Sequence, residues 1–235
     1  MEIRGKEINN LIVGGCSFSS YTEVDKNYGT YLSELLGIKN IDGYNAGCGS
    51  NDRIWRTILT GIREGTITSS DLLIIQYTTV ERTEFWSRHV MDTTRLGHKT
   101  KGTKWREDYG DGQIIKFKFN IIPEKPKEEL EFFTLIEENF VDDSYEFEKF
   151  QNRHMSFVKV LDSFKINTLF LGTNYSRPQN ESRPQNMFDS EYCLYLDVGV
   201  FPHGKYCLSE TDCFHMSSEG HKKMSEVIYE EIKKM

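Results

Sequence analysis

The chain has 235 residues with a hydrophobic fraction of 37% and an aromatic fraction of 13%, and its formal net charge at pH 7 is −7. A globular chain of this length removes roughly 70% of its unfolded surface from water, so its core can form without disulfides or a metal ion. The negative charge argues against general binding to nucleic acid or to an anionic membrane.

Three short apolar runs near the start of the chain predict the strands of a parallel sheet. They are Asn10 to Val13, Ile41 to Asn45 and Asp71 to Tyr77, and turns rich in small residues close the first two. Segments with helical periodicity lie between these runs. The resulting β-α-β-α-β order, with short connections, implies a sheet that is covered by helices on both faces.

The first of these helices is predicted from Tyr28 to Leu36, with Gly37 ending it. The second begins at Ser50 or Asn51 as its cap. Its predicted inward residues are Ile54, Trp55, Ile58, Leu59 and Ile62. Later elements are a helix near Tyr145 to Phe164, a strand from Thr168 to Gly172 and a helix from Ser217 to Lys234. In the last helix, Met224, Val227, Ile228 and Ile232 are expected to face the core.

Between these regular parts, residues 85–143 follow neither a helical nor a strand period. A long irregular segment inside a compact domain is usually a lid, a binding insertion or an interaction surface. The sequence therefore predicts one domain over residues 1–235 that carries an insertion or lid at 85–143.

Small and hydroxylated residues follow each predicted strand of the first half of the chain. Ser17, Gly47 and Thr78 stand at three such ends, and ligands of parallel sheets bind at the carboxyl ends of the strands. Near the C-terminus, Asp212 precedes His215 by three residues, directly before the last helix. Such a carboxylate can hold one imidazole nitrogen and leave the other to take a proton from a nucleophile. These segments together suggest a divided Ser/Asp/His site.

The motifs resemble those of SGNH (GDSL-type) hydrolases. Gly15-Cys16-Ser17 stands where that family has Gly-Asp-Ser, Gly47 matches the glycine of its second block, and Asp212-x-x-His215 matches its last block. The resemblance covers roughly residues 8–84 and 150–235. It implies a three-layer α/β/α fold with a central parallel sheet, as in flavodoxin-like proteins, and leaves the irregular insertion unaccounted for. It also implies a serine-dependent ester hydrolase without cofactor or metal.

The resemblance implies a role for each matched residue. Ser17 attacks an acyl carbon, His215 takes its proton, and Asp212 orients the imidazole. The backbone amides of Ser17 and Gly47 face the oxyanion. The most plausible substrate is a small-molecule or carbohydrate ester, and an O-acetylated carbohydrate above all.

The third block of the family departs from its pattern in this chain. Gly-x-Asn-Asp would fall on Thr78 to Glu81, which puts Val80 in the place of an oxyanion-hole asparagine. Loss of one such donor costs about 10²–10³ in rate unless another group replaces it. Asn51, the Thr79 hydroxyl and Arg82 are the candidate replacements.

Several alternatives remain open at this stage. An acyltransferase on the same scaffold would transfer the acyl group to an alcohol, and a catalytically inactive binding protein would explain Val80 as decay. Ser19 and Ser20 are alternative nucleophiles, and His221 is expected on a face of the last helix. A thiol cluster of Cys16, Cys48 and Cys213 could bind a metal, or Cys48 could serve as a nucleophile with His215.

Two further residues are substrate-binding candidates. Arg82 would contact an anionic or sugar substrate or pair with a neighbouring carboxylate, and Trp86 would stack on a sugar ring or belong to the core of the insertion. Five cysteines without paired spacing favour reduced thiols and a cytoplasmic location. We expect no signal peptide and no membrane span, because no apolar run approaches ~20 residues.

Overall fold

The computed structural model describes residues 1–15, 19, 25–45, 50–78, 82–85, 113–116, 143–172, 190–197 and 216–235, the short stretches 82–85 and 113–116 as backbone. In chain order the strands are β1 (Glu2–Ile3), β2 (Lys6–Glu7), β3 (Asn10–Gly15), β4 (Asn40–Asn45), β5 (Asp71–Gln76), β6 (Arg82–Phe85), β7 (Gln113–Lys116), β8 (Asn167–Gly172) and β9 (Cys193–Asp197). The helices are α1 (Tyr28–Leu36), α2 (Asn51–Arg63), α3 (Asp143–Ser163) and α4 (Ser218–Ile232).

Five parallel strands form the central sheet in the order β4-β3-β5-β8-β9. In chain order this is the 2-1-3-4-5 arrangement of flavodoxin-like sheets, so the chain changes direction across the sheet between β3 and β5. The predicted α/β class and its parallel sheet are confirmed. The fifth strand, β9, was not predicted.

Two apolar clusters lie on opposite faces of the sheet. Along β5, Leu72 and Ile74 belong to the cluster that contains α1 and α4, whereas Leu73 and Ile75 belong to the cluster that contains α2 and α3. This alternation follows from the period of a strand, whose successive side chains point to opposite faces. Because both sets are fully buried, the sheet is the middle of three layers.

The helix ends agree with their sequence signals. Ser50 is the N-cap of α2, and its side chain accepts a hydrogen bond from the Arg53 amide. Gly37 ends α1 at φ 68°, a left-handed conformation that suits glycine. Ser217 caps α4 by accepting from the Gly220 amide. None of the described helices is long and apolar enough to cross a membrane.

Three predicted helix positions differ in the structure. Leu59, expected inside, is 37% exposed on the outer side of α2. Val227 is only partly buried, while Met224, Ile228 and Ile232 are buried as expected. His221 is also fully buried. His221 lies three residues before Met224 and four before Ser225, so it belongs to the inward face of α4. Its polar character gave no indication of this burial.

Within the segment expected to be irregular, β7 pairs antiparallel with β6. Arg82 opposes Lys116 and Phe85 opposes Gln113 in this pair. β6 follows β5 closely in the chain and lies beside α2. The division into a single domain with an insertion or lid at 85–143 stays a prediction.

Candidate active site

The carboxyl edge of the sheet places the ends of β3, β4 and β5 at one level. Gly15 pairs with Asn45 on β4, and Gly14 pairs with Ile75 on β5. The crevice between β3 and β5 is the point at which the chain reverses direction across the sheet, and ligands of such folds bind there. The structure therefore indicates this edge as the position of a site.

Most of the predicted site residues lie outside the described part of the chain. These are Ser17, Gly47, Thr79, Trp86, Asp212 and His215, together with Val80, Ser20 and the cysteines Cys16, Cys48 and Cys213. For Arg82 the structure gives the backbone, as the first residue of β6. Asn51 is the predicted site residue whose side chain is described. Gly15, Thr78 and Met216, which are also described, lie within two positions of Ser17, Thr79 and His215.

Ser19 anchors the chain where it leaves the carboxyl end of β3, a position that we call the exit of the strand. An ideal Cβ at Gly15 would lie 2.2 Å from Ser19 Oγ and 2.9 Å from Ser19 Cβ, so the serine occupies the space that a side chain at Gly15 would need. Ser19 Oγ donates to Oε1 of Gln76 at 2.6 Å. Its carbonyl accepts from Asn27 Nδ2 at 3.2 Å. A hydrogen bond thus crosses the crevice from Ser19, which follows β3, to the last residue of β5.

This arrangement gives Ser19 a structural role. The residue is 1% exposed, and its hydroxyl has a single hydrogen, which goes to an amide oxygen. An amide oxygen does not serve as a general base at neutral pH, unlike the imidazole that a serine nucleophile requires. Ser19 therefore serves as an anchor between the chain that follows β3 and the end of β5.

The exit of β5 is held by Asn51. Its Oδ1 accepts from the Thr78 amide at 3.0 Å, and its Nδ2 donates to the Thr78 carbonyl at 3.1 Å. Both residues are buried, at 4% and 2% exposure. The first residue of α2 thereby fixes the backbone of Thr78, the residue at which the third block begins.

A second set of polar groups lies below the same exit, on the face of α2 and α3. The Tyr77 hydroxyl accepts from Trp55 Nε1 at 3.2 Å and contacts His154 Nδ1 at 2.6 Å. Tyr77 also stacks on Phe170, with ring centroids 5.5 Å apart. Burial raises the pKa of Tyr77 well above its usual value, so its hydroxyl stays protonated. These contacts fix the β5 exit from beneath.

The segment that carries Asp212 and His215 leads directly into described residues. Met216, next after His215, is 2% exposed in the cluster with Val13 and Leu171. Ser217 then caps α4. The chain therefore enters α4 from a buried residue that packs on the strands of the candidate site.

A metal site has no support among the described residues, where no group of three or more His, Cys, Asp or Glu side chains could hold an ion. Cys193 lies at the start of β9, on the amino edge of the sheet. Burial raises the pKa of its thiol to about 12, which makes it an unreactive core residue. The cysteines proposed for a thiol cluster lie outside the described residues.

Sequence reasoning missed the buried polar residues that position these exits. In the sequence, Ser19 stands as an alternative nucleophile, and no pattern connects Gln76, Tyr28 or His221 with the site. Gln76, a polar residue that ends an otherwise apolar run, was the one available signal, because a buried amide needs a hydrogen-bond partner.

Comparisons with known proteins concern the fold. A catalytic mutant of Axe2, an acetylxylan esterase from Geobacillus stearothermophilus, has a TM-score of 0.50 at 12% identity, over 97% of this chain and 95% of that chain. The esterase EstA from Pseudoalteromonas sp. has a TM-score of 0.47 at 10% identity, over 96% and 97%. A protein from Desulfitobacterium hafniense DCB-2 that is assigned to the lipolytic G-D-S-L family has 0.47 at 13%, over 94% and 98%.

No protein-family model and no curated protein matches the chain. At 12% identity, the likeness to Axe2 is a likeness of fold. The three-layer fold implied by the motif resemblance is therefore confirmed.

Proposed function

We propose that the chain is a serine-dependent carboxylic ester hydrolase of SGNH type. Ser17 is the nucleophile, His215 is the general base, and Asp212 orients His215. The observation that carries this proposal is the exit of β3, where Gly15 and Ser19 bracket Ser17 and Ser19 bonds across the crevice to Gln76. Two peptide links separate Ser17 from each neighbour, a reach of about 7–8 Å. That reach supports a position of Ser17 at the crevice.

The base half of the site is supported from α4. His215 directly precedes Met216, which is buried against the same sheet face as Val13 near the end of β3. Asp212 precedes His215 by three residues. This spacing suits a carboxylate that accepts from one imidazole nitrogen while the other faces the serine.

The reaction proceeds in two steps. Ser17 Oγ bonds to the acyl carbon as His215 takes the hydroxyl proton, and the proton then passes to the departing alcohol as its C–O bond breaks. Water attacks the acyl-serine in the second step, again with His215 as base. The acid is released and Ser17 regains its proton from His215, so no oxidant or metal is required.

The oxyanion is stabilised by the backbone amides of Ser17 and Gly47, with Asn51 or Thr79 supplying the donor absent at Val80. Thr78, the neighbour of Thr79, is held by Asn51 at the buried end of α2. This contact supports either Asn51 or Thr79 as the oxyanion donor, because it brings the start of α2 to the end of β5. Preorganised donors of this kind are worth about 10²–10³ in rate.

The substrate that we propose is an O-acetylated carbohydrate. Axe2, which has the same fold, is by name an acetylxylan esterase. Arg82 and Trp86 are the proposed contacts to the sugar, and β6, which begins at Arg82, lies beside α2. The segment 85–143 is the proposed lid over this region.

A fluorophosphonate probe tests the nucleophile, because it labels serines that are activated by a neighbouring base. Wild-type protein should be labelled, and Ser17→Ala should abolish the label. Ser20→Ala is the matched control, three residues further along the sequence, and should retain the label. Wild-type protein that is folded by circular dichroism and takes no label would overturn the proposal.

Hydrolysis is separated from acyl transfer by p-nitrophenyl acetate turnover with and without an added sugar alcohol. A hydrolase releases acetate in both reactions, whereas a transferase produces the acetylated sugar alcohol and shows a faster turnover when it is present. Release of acetate from acetylated xylan, compared with short-chain lipid esters, then tests the substrate class.

A further inference from the structure

His221 is a buried histidine that bonds to a distant part of the chain. It is fully buried, and its Nδ1 accepts a hydrogen bond from the Tyr28 amide at 3.2 Å. The two residues are 193 positions apart in sequence, and their rings stack with centroids 6.2 Å apart. Since Nδ1 accepts from an N–H group, it carries no proton in this arrangement.

The bond joins two helix starts. Tyr28 is the first residue of α1, and the first amides of a helix lack partners within it. Asn27 satisfies the Thr30 amide as the local cap. His221, in the first turns of α4, satisfies the Tyr28 amide from outside the helix. α1 and α4 are therefore joined at their starts by a directional contact as well as by apolar packing.

The side chain of Tyr28 extends this connection to the candidate site. Its hydroxyl lies 2.8 Å from Ser19 Oγ. Ser19 gives its single hydrogen to Gln76, so Tyr28 must donate to Ser19. Tyr28, Ser19 and Gln76 are all buried, with exposures of 0–1%. Directed hydrogen bonds thus run from α4 through α1 to the exits of β3 and β5.

The two ends of this connection lie beside the two halves of the proposed site. Ser19 follows Ser17 by two residues, and His221 follows His215 by six. A displacement of about 1 Å between reacting groups can cost on the order of 10²-fold in rate. A connection that fixes both segments therefore acts on the distance between nucleophile and base.

We propose that His221 is a positioning residue for the esterase reaction, acting through Tyr28 and Ser19 to hold the Ser17 segment at a fixed distance from the His215 segment. The inference rests on the proposed function. It predicts that loss of the Nδ1 acceptor lowers the turnover number and leaves KM nearly unchanged, because a positioning defect affects the reacting geometry more than substrate binding.

Three variants of α4 test the inference. His221→Leu removes the acceptor and keeps an apolar side chain in the buried space. His221→Asn keeps an acceptor oxygen on the same γ-carbon and should rescue the reaction. Met224→Ala is the control for stability, since Met224 is a buried residue of the same helix, 1% exposed, that loses packing without removing a polar contact.

The measurements are the rate of fluorophosphonate labelling and kcat and KM for p-nitrophenyl acetate, each per folded molecule. We expect His221→Leu to lower the labelling rate and kcat by about tenfold or more. His221→Asn and Met224→Ala should stay within about threefold of wild type. Equal kcat in His221→Leu and Met224→Ala, with normal labelling of wild type, would overturn this inference alone. A wild-type protein without Ser17-dependent labelling would overturn the proposed function and this inference with it.

Discussion

The two adjacent glycines at the end of β3 give a sharp test of how Ser19 holds the segment of the proposed nucleophile, Ser17. An ideal Cβ at Gly15 would lie 2.2 Å from Ser19 Oγ, whereas one at Gly14 would lie 3.4 Å from Ile58 Cδ1. The first distance requires Ser19 to move by about 1 Å, because carbon and oxygen atoms that are not bonded do not approach so closely. The second is an ordinary van der Waals contact.

The energetic difference follows from the contacts of Ser19. Its displacement in Gly15→Ala breaks hydrogen bonds to Gln76 and Tyr28, both buried. A buried polar group that loses its partner costs about 1–3 kcal/mol, so the variant should lose roughly 2–4 kcal/mol of unfolding free energy. Gly14→Ala keeps these bonds and reduces the freedom of the unfolded chain, so its change should stay within about 1 kcal/mol.

Urea denaturation of both variants, followed by tryptophan fluorescence, measures the free energies of unfolding. Fluorophosphonate labelling of the folded fraction then reports the geometry at Ser17, the proposed nucleophile. We expect Gly15→Ala to be less stable than Gly14→Ala and to label more slowly. Equal stabilities and equal labelling rates would refute the reasoning that Ser19 occupies the space above Gly15 and anchors the chain that follows β3.

Three further predictions concern the β5 exit and the core. Asn51→Ala should lower the free energy of unfolding, measured by urea denaturation, by roughly 2–4 kcal/mol, because it leaves the buried Thr78 amide and carbonyl without their partner. A decrease of less than about 1 kcal/mol would contradict this expectation. Tyr77→Phe should lower the free energy of unfolding by about 1–3 kcal/mol, and by more than Tyr44→Phe, because the bond of the Tyr44 hydroxyl to Thr66 is partly buried. The pKa of the Cys193 thiol rises from 9.0 to about 12 on folding. Burial of the protonated thiol therefore makes its full contribution to the free energy of unfolding below about pH 9, and this contribution is lost as the pH rises towards about 12. Cys193→Ala should therefore reduce the alkaline slope of stability by up to about 1.4 kcal/mol per pH unit, and an unchanged slope would exclude this role.

Local signals were sufficient to predict most of the fold. β3 and β5 are continuous apolar runs, as expected of strands that are buried on both faces. The end of α1 was predicted from Gly37, because a cap acts within a few residues of its helix, whereas the role of Ser217 as the cap of α4 was not predicted. β9 was missed because its sequence is short, contains an aspartate and follows a polar segment.

The polar contacts at the site could not be predicted in this way. Ser19 and Gln76 are 57 residues apart, and Tyr28 and His221 are 193 apart. No periodicity or local propensity connects such residues, since their pairing depends on how the layers pack. Ser17 and His215 were predicted as site residues from their resemblance to family blocks, whereas the contacts of Ser19 and His221 required the structure.

The distribution of these contacts over the two faces of the sheet explains why the layers alone would not define the site. Apolar packing on each face is non-directional and permits small shifts of one layer over another, whereas hydrogen bonds are directional. On the α1 and α4 face, Ser19 and His221 fix the β3 exit. On the α2 and α3 face, Asn51 and Tyr77 fix the β5 exit. Each exit is thus restrained by buried polar groups from its own face, and the bond between Ser19 and Gln76 joins the two sets. A change on either face should consequently alter the same crevice.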